Sequence, residues 1–109
     1  MNDQAGPGSR LTVGRKVVAQ MVELAALEVP GVLRVGRAGP SWRTLFAGSP
    51  VRARVRDGRV DVRVWVLARP GHALGPLAAE VRSTVAATVE RLLGLQLDAV
   101  TVVVDGVGG

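Results

Sequence analysis

Several residue types that carry chemistry are scarce in this sequence or missing from it. The chain has no cysteine and no tyrosine, one phenylalanine, two tryptophans and one histidine, His72. Without cysteine there are no disulfide bonds, thiolate metal sites or cysteine nucleophiles. A single histidine leaves a metal site short of convergent ligands, so we expect neither a metal nor another cofactor. No pair of the scattered acidic residues is placed for acid–base catalysis, and we expect a protein that is not an enzyme.

Long apolar runs are missing as well. A helix that spans a bilayer needs about 20 consecutive apolar residues, and the sequence contains no such stretch. Residues 1–10 also lack the apolar segment that is typical of a secretory signal. From both absences we expect a cytoplasmic protein.

The residues that are present describe one small globular domain. Of the 109 residues 48% are apolar and 21% are charged, which is an ordinary globular composition. We expect residues 1–10 to form a flexible leader and residues 11–107 to form a single domain. The 14 basic and 9 acidic residues give a net charge of +5, and residues 1–70 alone carry 12 basic and 5 acidic groups. The positive charge is therefore concentrated in the first two thirds of the chain.

Periodicity predicts a helix near the start of this domain. Apolar residues recur at helical spacing, with Gly14 as an acceptable N-cap and Pro30 as the residue before which the helix ends. Residues 11–13 could form a short strand or lead into the helix. The expected buried stripe consists of Val17, Val18, Met21, Val22, Leu24 and Ala25.

Three strands should follow, and the second and third should form a hairpin. Residues 32–35 are a short strand candidate. Residues 51–56 and 59–66 alternate with period two on either side of an Asp-Gly dipeptide at 57–58. This dipeptide is typical of a type I′ turn, because both central residues of that turn need positive φ.

A second helix and a last strand complete the domain. The helix should run from Pro76 to Leu93 with Gly94 as its C-terminal cap, and residues 99–104 should form the strand. The last two strands should be parallel, because the second helix joins them as a crossover. We expect an α+β fold of two layers, α-β-β-β-α-β, with both helices on one face of a mixed four-stranded sheet of undetermined strand order. The stripe of the second helix should comprise Leu77, Ala78, Val81, Val85, Val89 and Leu92.

Four segments of the chain resemble a known family. They are Leu-Thr-Val-Gly-Arg-Lys-Val-Val at 11–18, Ala-Leu-Glu-Val-Pro-Gly-Val at 26–32, Asp-Gly-Arg-Val-Asp-Val-Arg-Val at 57–64 and Val-Glu-Arg-Leu-Leu-Gly-Leu-Gln-Leu-Asp-Ala-Val-Thr-Val-Val-Val-Asp-Gly-Val at 89–107. In composition and order they are similar to the alkaline shock protein family of the bacterial envelope stress response. The resemblance covers roughly residues 11–107, and its strongest parts are fold motifs.

The resemblance implies a small, non-enzymatic cytoplasmic protein that supports cell-envelope homeostasis through protein–protein contacts. Some members gather beneath the cell membrane through a separate membrane-anchored partner, so such a partner and a homo-oligomer are expectations here. Two departures leave the partner open. Gly14-Arg15 replaces a common Ser-Asp or Ser-Glu helix cap and puts a cation at the positive end of the helix, and Pro70-Gly71 replaces a common aromatic-glycine pair.

The loop that holds His72 is a weak candidate for anion binding. It lies just ahead of the second helix, where backbone donors converge. However, it lacks the Gly-Lys-Ser/Thr ending of a phosphate-binding P-loop. We interpret it as a connector with a solvated histidine.

The hairpin makes the most specific prediction about binding. A two-residue turn at 57–58 pairs residues whose numbers sum to 115, so the valines share the core face and the arginines share the other. Two of the three charged pairs on that second face oppose arginine to arginine, which is destabilising. Either the arginine stems lie across the sheet with their heads in water, or an acidic surface (a partner protein, anionic lipid headgroups or nucleic acid) docks there. The candidate interaction face consists of Arg52, Arg54, Arg56, Arg59, Arg63 and Trp65.

A second candidate lies in the loop of residues 38–50. One helical turn would align Trp42, Leu45 and Phe46. These side chains either cap the open edge of the core or form a docking loop for a membrane-associated partner.

Together these patterns favour a scaffold of the envelope stress response. The alternative is a small RNA- or DNA-binding module that uses the candidate interaction face, with contacts from the arginines to phosphate groups and stacking of bases on Trp65. A single aromatic is a thin stacking platform, since RNA-binding sheets offer two or three.

Overall fold

Within its described residues, the chain forms two helices and four strands in the predicted order. A computed structural model describes residues 7–38 and 48–108, with side chains from residue 14 onward. The order α-β-β-β-α-β and the α+β class confirm the fold expected from the sequence. The elements are α1 (Pro7–Leu27), β1 (Val32–Val35), β2 (Val51–Arg56), β3 (Arg59–Ala68), α2 (Leu74–Leu93) and β4 (Gln96–Val107).

The first helix is longer than predicted. α1 begins at Pro7, which suits a first helical position because the N–H that proline lacks would have no partner there. The assignment of Gly14 as N-cap is therefore wrong, the short-strand alternative for residues 11–13 is wrong, and residues 7–10 of the expected leader are helical. Arg15 lies about two turns inside the helix and not at its positive end. A glycine inside a helix lowers the stability of the helix by only about 1 kcal/mol relative to alanine, so α1 continues through Gly14.

β3 is the central strand of the sheet. It pairs antiparallel with β2 over residues 59–64 and with β1 near residues 66–68, so β1 and β2 lie end to end along one edge of β3. The other edge of β3 pairs with β4, and these two strands are parallel. The mixed sheet is therefore confirmed, and the strand order that the sequence left open is settled by the length of β3.

Both helices cover the same face of this sheet. α1 packs over β1 and β2, α2 packs over β4, and the two helices contact each other. β3 supplies the centre of the core. Full burial of each of its inward valines contributes about 1.5–3 kcal/mol to the stability of the fold. The inward residues of β3 are at most 3% exposed: Val60, Val62, Val64, Val66 and Ala68.

The predicted helical stripes are buried or half-buried except at two leucines. Leu24 is 64% exposed and Leu92 is 54% exposed, so placing them in the core was wrong. At 100° per residue Leu24 stands on the far side of α1 from the buried Val22. In the last turn of α2 the neighbouring Leu93, and not Leu92, packs against the core.

The ends of the later elements differ from the prediction by a few residues. α2 begins at Leu74, two residues ahead of Pro76, and ends as predicted at Leu93. Gly94 caps it in the left-handed conformation, with φ 65°, and its N–H donates to Glu90 O. β4 extends beyond residues 99–104 at both ends, because β3 beside it is long enough to pair with it throughout.

Candidate interaction surface

The turn that orients the hairpin has the predicted geometry. Asp57 has φ 52° and Gly58 has φ 76°, the left-handed region that a type I′ turn requires. The β2–β3 pairs all sum to 115, which confirms the predicted register. Its charged pairs are Arg52 with Arg63, Arg54 with Asp61 and Arg56 with Arg59.

The sheet face turned away from the helices carries the arginines. Alternation along β2 and β3 sends the valines into the core, because one face of each strand is packed against α1 and α2. The arginines of the other face are all exposed, and neither helix covers them. We call this set the arginine face; it consists of Arg52, Arg54, Arg56, Arg59 and Arg63.

Little of this positive charge is neutralised within the described part of the chain. Arg59 Nη1 lies 3.5 Å from Asp98 Oδ1, an exposed ion pair of the kind that contributes at most about 1 kcal/mol. Within the described residues 14–38 and 48–108 there is no other salt bridge, so Asp61 forms none with Arg54, the residue opposite it on β2. The guanidinium groups of the face are therefore available to an acidic ligand.

Trp65 has a different environment from the one predicted. It lies on the same side of the sheet as the arginines but is only 8% exposed. Arg37 Cζ lies 3.8 Å from the centroid of its ring, and the Cζ atoms of Arg52 and Arg63 lie 5.5 and 5.9 Å from it. The nucleic-acid alternative would need Trp65 as a stacking surface, and the ring has little exposed surface for that. The ring instead holds cations, an interaction that contributes about 0.5–2 kcal/mol.

Sequence reasoning missed Arg37. The β1–β3 pairing brings it to Trp65: Gly36 N–H donates to Trp65 O at 2.9 Å, which fixes the backbone beside the ring. Within the described residues the buried Nε of Arg37 has no hydrogen-bond partner, so the indole ring is its main described contact. No local pattern around residue 37 signals this contact, because its partner is 28 positions away in the chain.

Two cations of α1 extend the positive surface around the outer edge of β2. Arg15 and Lys16 of α1 line an open depression of about 950 Å³ together with three members of the arginine face. Asp61 is the one acidic residue among the lining residues. The sequence offered a signal here, adjacent cations at 15 and 16, but their place depends on how α1 packs over β2.

The remaining candidates do not form a site in the described residues. His72 is exposed in the loop between β3 and α2. No group of three or more His, Cys, Asp or Glu side chains within residues 14–38 and 48–108 could hold a metal ion. Trp42, Leu45 and Phe46 lie outside the described residues, so the docking loop stays a prediction. Neither α1 nor α2, as far as each is described, combines the length and the apolarity that crossing a bilayer would take.

These observations define a small α+β domain with an open cationic sheet face. The chain belongs to the alkaline shock protein 23 family, whose description is "cell envelope-related function" and whose model matches residues 4–108. This confirms the family that the sequence resembles. No match was found among curated proteins.

Solved structures with this fold include several forms of the MamM CTD. A triple variant is 20% identical with a TM-score of 0.56, over 86% of this chain and 96% of that one. A zinc form is 19% identical with a TM-score of 0.56, over 86% of this chain and 87% of that one. A copper form is 20% identical with a TM-score of 0.53, over 84% and 95%. At this identity the similarity shows the fold alone.

Proposed function

We propose that this chain is a non-enzymatic, cytoplasmic scaffold of the envelope stress response that supports the cell envelope through protein–protein contacts. Membership in a family with a cell envelope-related function supports the biological setting. The observation that carries the mode of action is the arginine face, five exposed arginines on one side of a sheet with a single acid, Asp61, among them.

An acidic surface of a partner protein fits this face best. Two of its cross-strand pairs bring arginine opposite arginine, and carboxylates placed between them would relieve that repulsion. Arginine can bind a carboxylate through two parallel hydrogen bonds, which gives direction as well as attraction. Arg15 and Lys16 would widen the contact around β2. A partner anchored in the membrane would place the scaffold at the inner face of the cell membrane.

The nucleic-acid alternative has less support. Its stacking residue, Trp65, is buried beneath Arg37, and the described part of the arginine face has no other aromatic side chain. Phosphate contacts without a stacking platform would leave only weak binding that depends strongly on salt.

Reversing the charge at the centre of the face tests the proposal. The variant Arg52→Glu with Arg63→Glu lowers the net charge from +5 to +1, and capture of the partner from solubilised membranes should fall about tenfold or more, because like charges across an interface cost several kcal/mol. The measurement is quantitative pull-down with wild-type and variant chains that have equal thermal stability.

The matched control is Arg69→Glu with Arg91→Glu, which changes the net charge equally at exposed positions outside the face. This control should capture the partner as the wild type does. Equal capture by the face variant would contradict the proposal. A face variant that loses only binding to oligonucleotides, or only binding to vesicles of anionic lipid, would replace the protein partner by that ligand.

A further inference from the structure

The outer edge of β4 is an open strand edge. β4 pairs with β3 through one edge over residues 96–107. In the described residues no strand pairs with its other edge. Such an edge presents a row of free N–H and C=O groups, which is a template for another strand. With twelve residues β4 is also about twice as long as a common strand.

Two irregular positions divide this edge. The register with β3 skips Asp98 and again Asp105, so each aspartate is the extra residue of a bulge. Between the bulges, residues 99–104 pair with β3 without interruption, and their sequence, Ala-Val-Thr-Val-Val-Val, carries no charge. We call these six residues the neutral window. Short segments rich in β-branched residues, without charge or proline, pair readily with copies of themselves.

Arg82 shows which backbone groups point outward. From α2 its Nε donates to Val100 O at 3.3 Å, so this carbonyl faces the open edge and not β3. Because successive residues of a strand alternate in direction, the N–H and C=O of Val102 face the same way. Arg82 covers one acceptor of the neutral window and leaves the groups of Val102 without a partner in the described part of the chain.

We propose that the neutral window pairs antiparallel with the neutral window of a second copy of this chain. The product is a two-fold dimer whose two sheets join into one of eight strands, with both helix layers on the same side. This interface is separate from the arginine face and does not depend on what that face binds.

The charge pattern selects a second β4 as the occupant. The pair is centred on Thr101, so that Asp98 of each copy lies opposite the uncharged Val104 of the other and Asp105 opposite the uncharged Leu97. A pair of β2 edges would instead bring arginines of two copies together, which is unfavourable. Of the open edges of β2 and β4, the β4 edge is thus the one that meets its own copy without opposing like charges.

Sedimentation equilibrium of the full chain over a range of concentrations tests this dimer with two variants of opposite effect. Val102→Pro removes an outward N–H that β3 does not use, and the dimer dissociation constant should rise about tenfold or more. Arg82→Ala uncovers Val100 O, and the dimer should become tighter. Arg91→Ala removes the same charge from the same helix and should change nothing. A wild type and an Arg82→Ala variant that both stay monomeric would overturn the proposal.

The absence of cysteine allows a second measurement that does not depend on how Val102→Pro folds. Opposite residues of antiparallel strands have Cα atoms about 4.5–5.5 Å apart, within the range of a disulfide. Thr101→Cys should therefore form a disulfide-linked dimer on mild oxidation, whereas Arg54→Cys on β2 should stay monomeric. Equal cross-linking at both positions, or mixed dimers between the two variants, would overturn the β4–β4 interface.

Discussion

Arg37 and Trp65 show how the environment of a single side chain can reverse its expected role. Period-two alternation correctly puts Trp65 on the side of the arginines, and yet the ring is buried. A guanidinium group is planar and weakly hydrated, so it can lie flat on an indole ring while its edge stays polar. Arg37 Cζ lies 3.8 Å from the ring centroid, so Trp65 is covered by Arg37 and is not an exposed binding residue.

Removing this cation should expose the ring. In a Trp42→Phe background Trp65 is the only tryptophan, and Arg37→Ala should raise its quenching by acrylamide and lower the free energy of unfolding by about 0.5–1 kcal/mol, the usual size of a cation–π contact. Arg52→Ala, whose Cζ is 5.5 Å from the ring centroid, should have a smaller effect on quenching. Equal quenching in the two variants would show that Arg37 does not cover the ring.

In α2 the helical spacing of apolar residues predicts burial correctly in the middle of the helix but not in its last turn. Periodicity places the buried valines of α2 correctly, since they repeat every four residues and face the sheet. The same rule includes Leu92, which lies seven residues after the buried Val85 and is exposed all the same. A helical face is buried only where another layer lies against it, and the last turn of α2 turns Leu93 to the core instead.

Two alanine substitutions on α2 compare a buried residue of the predicted apolar stripe with an exposed one. Val85→Ala removes methyl groups from a fully buried site and should lower the free energy of unfolding by about 2 kcal/mol, because it leaves a cavity. Leu92→Ala should change it by less than about 0.5 kcal/mol. Urea denaturation of both variants provides the comparison. A Leu92→Ala variant as unstable as Val85→Ala would mean that this leucine is buried in solution.

The whole molecule depends on β3. This strand pairs with each of the other three described strands and carries the inward valines on which both helices pack. It therefore separates from its neighbours only when most of the core is lost. β1 is four residues long and is paired with β3 at three positions, with an irregularity between Val32 and Arg34.

Hydrogen exchange should reveal this hierarchy. The amides of Val62 and Val64 should exchange only through global unfolding. The free energy of opening derived from their exchange rates should therefore equal the free energy of unfolding, about 5–15 kcal/mol for a small domain. The amides of β1 should exchange through smaller openings and therefore faster. Hydrogen exchange of these amides, measured by NMR under native conditions, checks that β1 exchanges before β3. Equal protection in β1 and β3 would mean that the sheet opens as one unit and would contradict the prediction.

Several features could be predicted from the sequence because they depend on neighbours in the chain. The Asp-Gly turn sets the φ angles at 57 and 58, these set the β2–β3 register, and the register sorts valines from arginines. The α-β-β-β-α-β order follows from periodicity and from Gly94 as a helix end. Resemblance in four segments was enough to identify the family that the comparison confirms.

Other features could not be predicted because they arise where distant segments meet. The exposure of Leu24 and the lining of the depression by Arg15 depend on how α1 packs on the sheet. The same holds for Arg37 over Trp65.

The sequence by itself thus determined the elements, their order and the polarity of each strand face, since these rest on contacts within a few residues. Only the tertiary structure decided that β3 lies in the centre, that β4 has an open edge and that Trp65 is covered. The reason is physical: burial and pairing belong to surfaces made by several segments, and a segment carries no record of which neighbour will cover it.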